Sequence, residues 1–194
     1  NLEKIELDFL TISGHKIGAP TGIGALVYNN KINLTPQILG GGQEKGMRAG
    51  TENILGIRGF GEAAKFIINA TENDCSKVKS LRDYFQEKIK TLSPETIFFG
   101  EKSNRVSNTI LMALPKIPGD LALMKLDLES FSVSSGSACS SGKISKSHVV
   151  SAMGFDEFAS NTIRISFPPN DIILNSENLI TMQQLDRLAN SWSN

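Results

Sequence analysis

The feature that most restricts what this chain can fold into is a change of hydrophobic period along its length. Ile54, Ile57, Phe60, Ala64, Ile67 and Ile68 recur at intervals of three and four, which gives one apolar helical face. Val78, Leu81, Phe85, Ile89 and Leu92 form a second such stripe, with Lys and Glu at the remaining positions. Those charges read as the helix's solvated face. Between the stripes, near residues 70 to 76, the apolar pattern breaks off.

On either side of the helices the pattern is that of strands. "IELDFLTIS" reads as an apolar-rich strand ending at Ser13, and "GIGALVYN" as a second strand leaving a glycine turn. Lys16 therefore falls in the loop between them. After Pro94, "TIFFG" and "SNTILMAL" are strand-like, "DLALMKLDLES" is helical and "FSVSS" is strand-like again. Ser145 or Ser147 can cap a short helix, "HVVSAM", which Gly154 ends. "NTIRISF" reads as the last strand, stopped by "PPN", since proline cannot donate to a ladder. From Ser176 the spacing of Leu179, Met182, Leu185, Ala189 and Trp192 predicts an amphipathic C-terminal helix. The pattern is α/β. The break near residue 70 predicts two domains, 1–70 and 71–194, of which the first is too short for a core of its own.

Composition narrows the function classes. The 194 residues carry twenty basic and twenty acidic side chains, so the electrostatic footprint of a nucleic-acid or anionic-membrane binder is missing. The apolar runs are shorter than the roughly 20 residues of a membrane-spanning helix. Two cysteines, Cys75 and Cys139, stand in unlike contexts and form no disulfide framework. A soluble protein of a reducing, cytoplasmic compartment is expected. The first residue is Asn, so a preceding targeting segment stays open. Neither cysteine pairs with a second Cys or His at metal-binding spacing, so no metal site is expected. Cys75 reads as a structural or surface thiol, and His148 as a capping or packing residue.

Four stretches carry chemistry. In "SGHKIGAPTGIGAL" a lysine amine can attack a carbonyl, Ser13 and His15 can donate hydrogen bonds to a phosphate, and the glycines allow close backbone approach. A lone lysine in a glycine-rich turn is equally a surface residue, and no helix follows to complete a nucleotide fingerprint. "GGGQEKGMRAGTEN" leads into the helix near Ile54, so its amides and the Thr51 hydroxyl form a plausible anion site or an ordinary loop. "SSGSACSSG" places Cys139 among small polar residues after a strand, where a thiol is expected to be accessible, although a single cysteine can equally be an inert core residue. Arg164, in the otherwise apolar "NTIRISF", needs an anionic partner when buried. A substrate carboxylate or a structural salt bridge would each serve.

In order and spacing these four stretches resemble the cysteine desulfurases of the NifS/IscS type, fold-type-I pyridoxal-phosphate enzymes of aminotransferase class V. The resemblance runs through residues 13 to 166. It implies that Lys16 is the lysine that binds the cofactor aldehyde and that Ser13 and His15 are phosphate ligands. Thr51 looks like the phosphate ligand lent to the partner's site in a homodimer. Cys139 looks like the nucleophile that takes sulfur from L-cysteine as a persulfide, leaving alanine. Arg164 looks like the clamp on the substrate carboxylate. The loop around Cys139 matches the subclass in which it is long, and a sulfur-acceptor protein would receive the persulfide, for iron-sulfur clusters or thiolation.

The resemblance also implies departures. Members are about twice this length, and the part ahead of the lysine carries a stacking His, an Asp facing the pyridine nitrogen and another phosphate loop. The chain would then hold the C-terminal end of the large domain, residues 1–70, and the small α/β domain, residues 71–194. Pro20-Thr21-Gly22 stands where members have Pro-Lys-Gly. The extended tail used for scaffold docking is not seen after Trp192, which favours a NifS-like form. Selenocysteine lyase or sulfinate desulfinase chemistry fits the same motifs. A non-catalytic fragment, or a small domain that dimerises, is the expectation from a different class.

Overall fold

Strands β1 (Phe9–Ser13) and β2 (Gly24–Tyr28) pair antiparallel, Phe9 opposite Tyr28 and Ser13 opposite Gly24. The computed structural model describes residues 7–69, 72–135 (72–74 by backbone alone), 146–167, 186, 187 and 190. By internal contacts the chain divides into two units, Asn1–Ala70 and Thr71–Asn194.

In the first unit a turn of 3-10 helix, Gly14–Ile17, connects β1 toward β2, and helix α1 (Ile54–Asn69) follows a long loop. Helix α1 rests on the turn region through two glycines. A Cβ on Gly59 would lie 2.6 Å from Pro20, and one on Gly14 would lie 2.7 Å from Ile23 and 3.2 Å from Phe60. Only the missing side chains permit this approach. The α1 stripe read from sequence is real, but most of it is uncovered: Ile54 is 67% exposed and Ile68 81%, while Phe60 and Ala64 are half-buried. A two-stranded ribbon is too narrow to bury a helix face. Both hydrophobic clusters of the described residues belong to the second unit.

That unit is built on an antiparallel sheet in the order β3-β4-β6-β5, formed by Ile97–Phe98, Thr109–Ala113, Thr162–Ser166 and Ser134–Ser135 respectively. Helix α2 (Glu72–Leu92) and helix α3 (Gly119–Leu128) cover one face. There Phe85 and Ile89 pack with Ile110, Met112, Leu126, Ile163 and Ile165, all nearly without exposure. Alternation along the strands sends Leu111 and Ala113 to the other face, where helix α4 (His148–Ala152) contributes Val150. Ser147 caps α4, its hydroxyl accepting from the Val150 amide, and Gly154 ends it at φ +88°. His148 opens α4 and is exposed, so it neither caps nor packs as expected. Of the expected C-terminal helix, residues 186, 187 and 190 are described as helical. Asp186 accepts a 2.9 Å hydrogen bond from the Tyr84 hydroxyl and pairs with Lys88 at 3.3 Å.

The charges of α2 are not all on a solvated face. Arg82 and Gln86 are 5% and 4% exposed, because the segment after β3 folds over them and offers partners 15 to 24 residues away in sequence.

Phe85 anchors the core and meets Phe167 edge to face at 6.0 Å between ring centres. Phe85→Ala is expected to cost about 3–5 kcal/mol, read as a lower urea midpoint at unchanged slope. A loss below about 1 kcal/mol would mean that this cluster does not hold the unit together.

Candidate active site

In the first unit one turn gathers an amine, a hydroxyl and an imidazole. Ser13 closes β1 and Gly14 is pinned by its amide donating to the Ile23 carbonyl at 2.9 Å. Gly18 ends the 3-10 turn at φ +85°, and Gly22 follows at φ +83°, a conformation that L side chains avoid. The backbone thus bends twice between Lys16 and β2, the first bend closing the Gly14–Ile17 turn. Lys16, His15 and Ser13 are all exposed on it. The Ser13 hydroxyl and His15 Nδ1 are 3.2 Å apart and share one hydrogen. With a neutral imidazole, only one of the two groups keeps an N–H or O–H to offer outward. With an imidazolium, Nδ1–H donates to the Ser13 oxygen, and both the Ser13 hydroxyl and Nε2–H stay available for an anion.

Thr51 lies in the loop that leads to α1 and is exposed. The residue that holds the start of α1 is Asn53, whose side-chain oxygen accepts from the Gly56 amide at 3.0 Å while its carbonyl takes the first helical bond from Ile57. Sequence reading had given Thr51 this neighbourhood and passed over Asn53, although Asn is among the preferred residues for the position. Upstream, Glu44 and Lys45 stand consecutively at φ +49° and +56°. Two non-glycine residues in the left-handed region cost about 1–2 kcal/mol each, so the glycine-rich loop stores backbone strain.

The second unit holds Arg164 in the sheet. On β6 it lies opposite Leu111 of β4 and Ser134 of β5, so these three share the face away from α2 and α3. The guanidinium is half-buried, and its Nε is buried with no hydrogen-bond partner among the described residues. A buried N–H left unsatisfied costs about 1–3 kcal/mol, which an incoming carboxylate would recover. Cys139 lies outside the described residues. Cys75 is exposed on α2. The structure therefore brings Ser13, His15 and Lys16 together on one turn, places Thr51 in the same unit and puts Arg164 in the other. Among the described residues no cluster of His, Cys, Asp and Glu could hold a metal ion, and no helix is long and apolar enough to cross a membrane.

The donor set on the turn fits pyridoxal phosphate, with a primary amine for an aldehyde and adjacent hydroxyl and imidazole groups for a phosphate. Comparison with known proteins points the same way. The family model for aminotransferase class-V matches residues 1–173. A cysteine desulfurase IscS of Dictyoglomus turgidum is 38% identical over 167 residues, which is 86% of this chain and 42% of that protein. A cysteine desulfurase of Gluconacetobacter diazotrophicus is 40% identical over 168 residues, again 42% of its length. Among solved structures, a NifS-like protein from Rickettsia africae superposes with a TM-score of 0.82 at 34% identity, covering 99% of this chain and 48% of that one. The chain spans less than half the length of the proteins it matches.

Proposed function

The chain belongs to the class-V aminotransferase family, and on that premise we propose that it forms the C-terminal portion of a pyridoxal-phosphate-dependent cysteine desulfurase. The observation that carries this reading is the exposed Lys16 amine on a turn flanked by the Ser13–His15 pair. In the proposal, residues 1–70 end the large cofactor-binding domain and residues 71–194 form the small domain.

When bound, pyridoxal phosphate supplies an aldehyde for an amine and an electron sink for the substrate α-carbon. Lys16 would hold it through Nζ, and Ser13 and His15 would hold its phosphate. Thr51 would serve the phosphate of the partner's site in a homodimer. Arg164 would bind the carboxylate of L-cysteine through its unpartnered Nε–H and the neighbouring guanidinium N–H groups. With the substrate in place, the Lys16 amine would move a proton at the α-carbon. The Cys139 thiolate then attacks the substrate sulfur. The bond between sulfur and the substrate β-carbon breaks with its electron pair passing to that carbon, which takes up a proton; alanine leaves, and Cys139 keeps the sulfur as a persulfide for an acceptor protein. No membrane or nucleic acid takes part, and a cytoplasmic setting suits a persulfide carrier.

The test is to incubate the complete protein with the cofactor, L-cysteine and a thiol reductant that releases the persulfide sulfur, and to measure alanine and sulfide together. Equal yields of both support the reading, and cysteine consumption without alanine contradicts it. Arg164→Lys retains the charge but loses the planar fork. It is expected to raise KM for L-cysteine by roughly tenfold or more with a smaller change in kcat. An unchanged KM would remove Arg164 from the substrate site.

A further inference from the structure

On the second unit, α2 and the segment after β3 enclose a cleft of about 460 Å³ that none of the roles above uses. Lys79, Arg82, Asp83, Gln86, Glu101 and Arg105 line it. Arg82 is held rigidly: Nε and Nη2 donate to Asp83 Oδ1 at 2.9 and 2.7 Å, and Nη1 donates to the Val106 carbonyl at 2.8 Å. Lys79 takes the other Asp83 oxygen at 2.8 Å. Burial alone would raise the Asp83 pKa, but the hydrogen bonds from Lys79 and Arg82 outweigh it and hold this carboxyl below its ordinary value. Lys90 pairs with both Glu87 and Glu101. Each carboxylate of the cleft is therefore already matched by a cation.

Arg105 is the cation left over. Its Nη2 donates to the Gln86 side-chain oxygen at 2.5 Å, and Gln86 Nε2 donates in turn to Glu101 at 2.7 Å. That orientation of a buried amide gives the guanidinium only a neutral partner. Arg105 Nη1 is buried with no hydrogen-bond partner, and Arg105 makes no ion pair, among the described residues. Burial, then the nearby Arg82 charge, lowers the Arg105 pKa, and the opposing pull of Asp83 and Glu101 does not offset them. Yet a guanidinium stays protonated in proteins.

We propose that this cleft binds one small oxyanion, phosphate or carboxylate, with Arg105 as its principal ligand. The two buried side chains that back the site, Arg82 and Gln86, are fixed by their own hydrogen bonds, so Arg105 is oriented before the anion arrives. The paired carboxylates at the rim limit the occupant to a single charged group, since a polyanion would meet Asp83, Glu87 and Glu101. The wall is polar, which selects a hydrophilic ligand, either free phosphate or the charged end of a small metabolite.

The Gln86 side-chain amide is a local reporter, remote in sequence from the turn at Ser13 and His15, where phosphate is also expected to bind. The experiment is to titrate the isotope-labelled protein with sodium phosphate, with sodium acetate and with sodium chloride at matched ionic strength, following that amide by NMR. A saturable shift with phosphate or acetate, and not with chloride, is expected, and the stronger of the two identifies the tetrahedral or the planar group. Arg105→Met should weaken it roughly tenfold or more, with Arg105→Lys intermediate. Identical shifts with chloride, no shift with either oxyanion, or a well-folded Arg105→Met protein that titrates like wild type would each overturn the proposal. Should Arg105→Met not fold, the wild-type titration against chloride still decides.

Discussion

Lys16→Ala is expected to lower L-cysteine turnover by about 10³-fold or more. The physical reason is that one side chain carries two duties. In the proposed function it would hold the cofactor through its amine and, once the substrate has taken its place, would move a proton at the α-carbon. Because Lys16 is exposed on a turn whose geometry is set by Gly14, Gly18 and Gly22, its removal opens no cavity and leaves no buried group unpaired. Thermal stability without cofactor should therefore match wild type. Retained turnover would move the cofactor-holding role to another lysine, and a large loss of stability would make Lys16 a structural residue.

Cys139→Ala is expected to abolish persulfide formation and sulfur delivery while cofactor binding persists. The proposed function puts the two roles on different residues, so they should separate cleanly. The reading is the mass of the protein after one turnover: wild type gains one sulfur atom on the peptide that carries Cys139, and the variant gains none. Cys75→Ala serves as the control. Its thiol is exposed on α2, and its removal should leave sulfur transfer intact. If the added sulfur stays with Cys75, or if Cys139→Ala delivers sulfur as wild type does, the assignment of the nucleophile is wrong.

Much of the fold is legible in the order of residues because it is governed by local patterns. The stripe through Val78, Phe85 and Ile89 has helical spacing and becomes the core face of α2. Ser147 and Gly154 mark the ends of α4 by chemistry that acts within a few residues. The edges of β1 and β2 follow the glycine turn between them. Where the reading failed, the deciding partner was remote. The charges of α2 read as its solvated face, yet Arg82 is buried along with the neutral Gln86, since nothing near them in sequence announces the Val106 carbonyl or Arg105 that they meet. The apolar stripe of α1 was legible as a stripe, and its exposure agrees with a unit too short for its own core: among the described residues of that unit the sheet is a two-stranded ribbon.

The candidate site was legible in a different way. The residue types in "SGHK" state their chemistry directly, and the structure adds the Ser13–His15 hydrogen bond and the exposure of the amine. Arg164 was noticed as a charge in an apolar strand, and the structure adds the reason for its interest, a buried Nε without a partner among the described residues. Asn53 stands apart from the glycines and Thr51 that mark this loop in the sequence, yet as the cap two residues after Thr51 it fixes where α1 begins.

The most direct test of the central claim is to load the complete protein with pyridoxal phosphate, reduce it with borohydride and map the modified peptide by mass spectrometry. A pyridoxyl group on Lys16 is the predicted result. The same group on a different lysine, or no stable label on any peptide, would contradict the account.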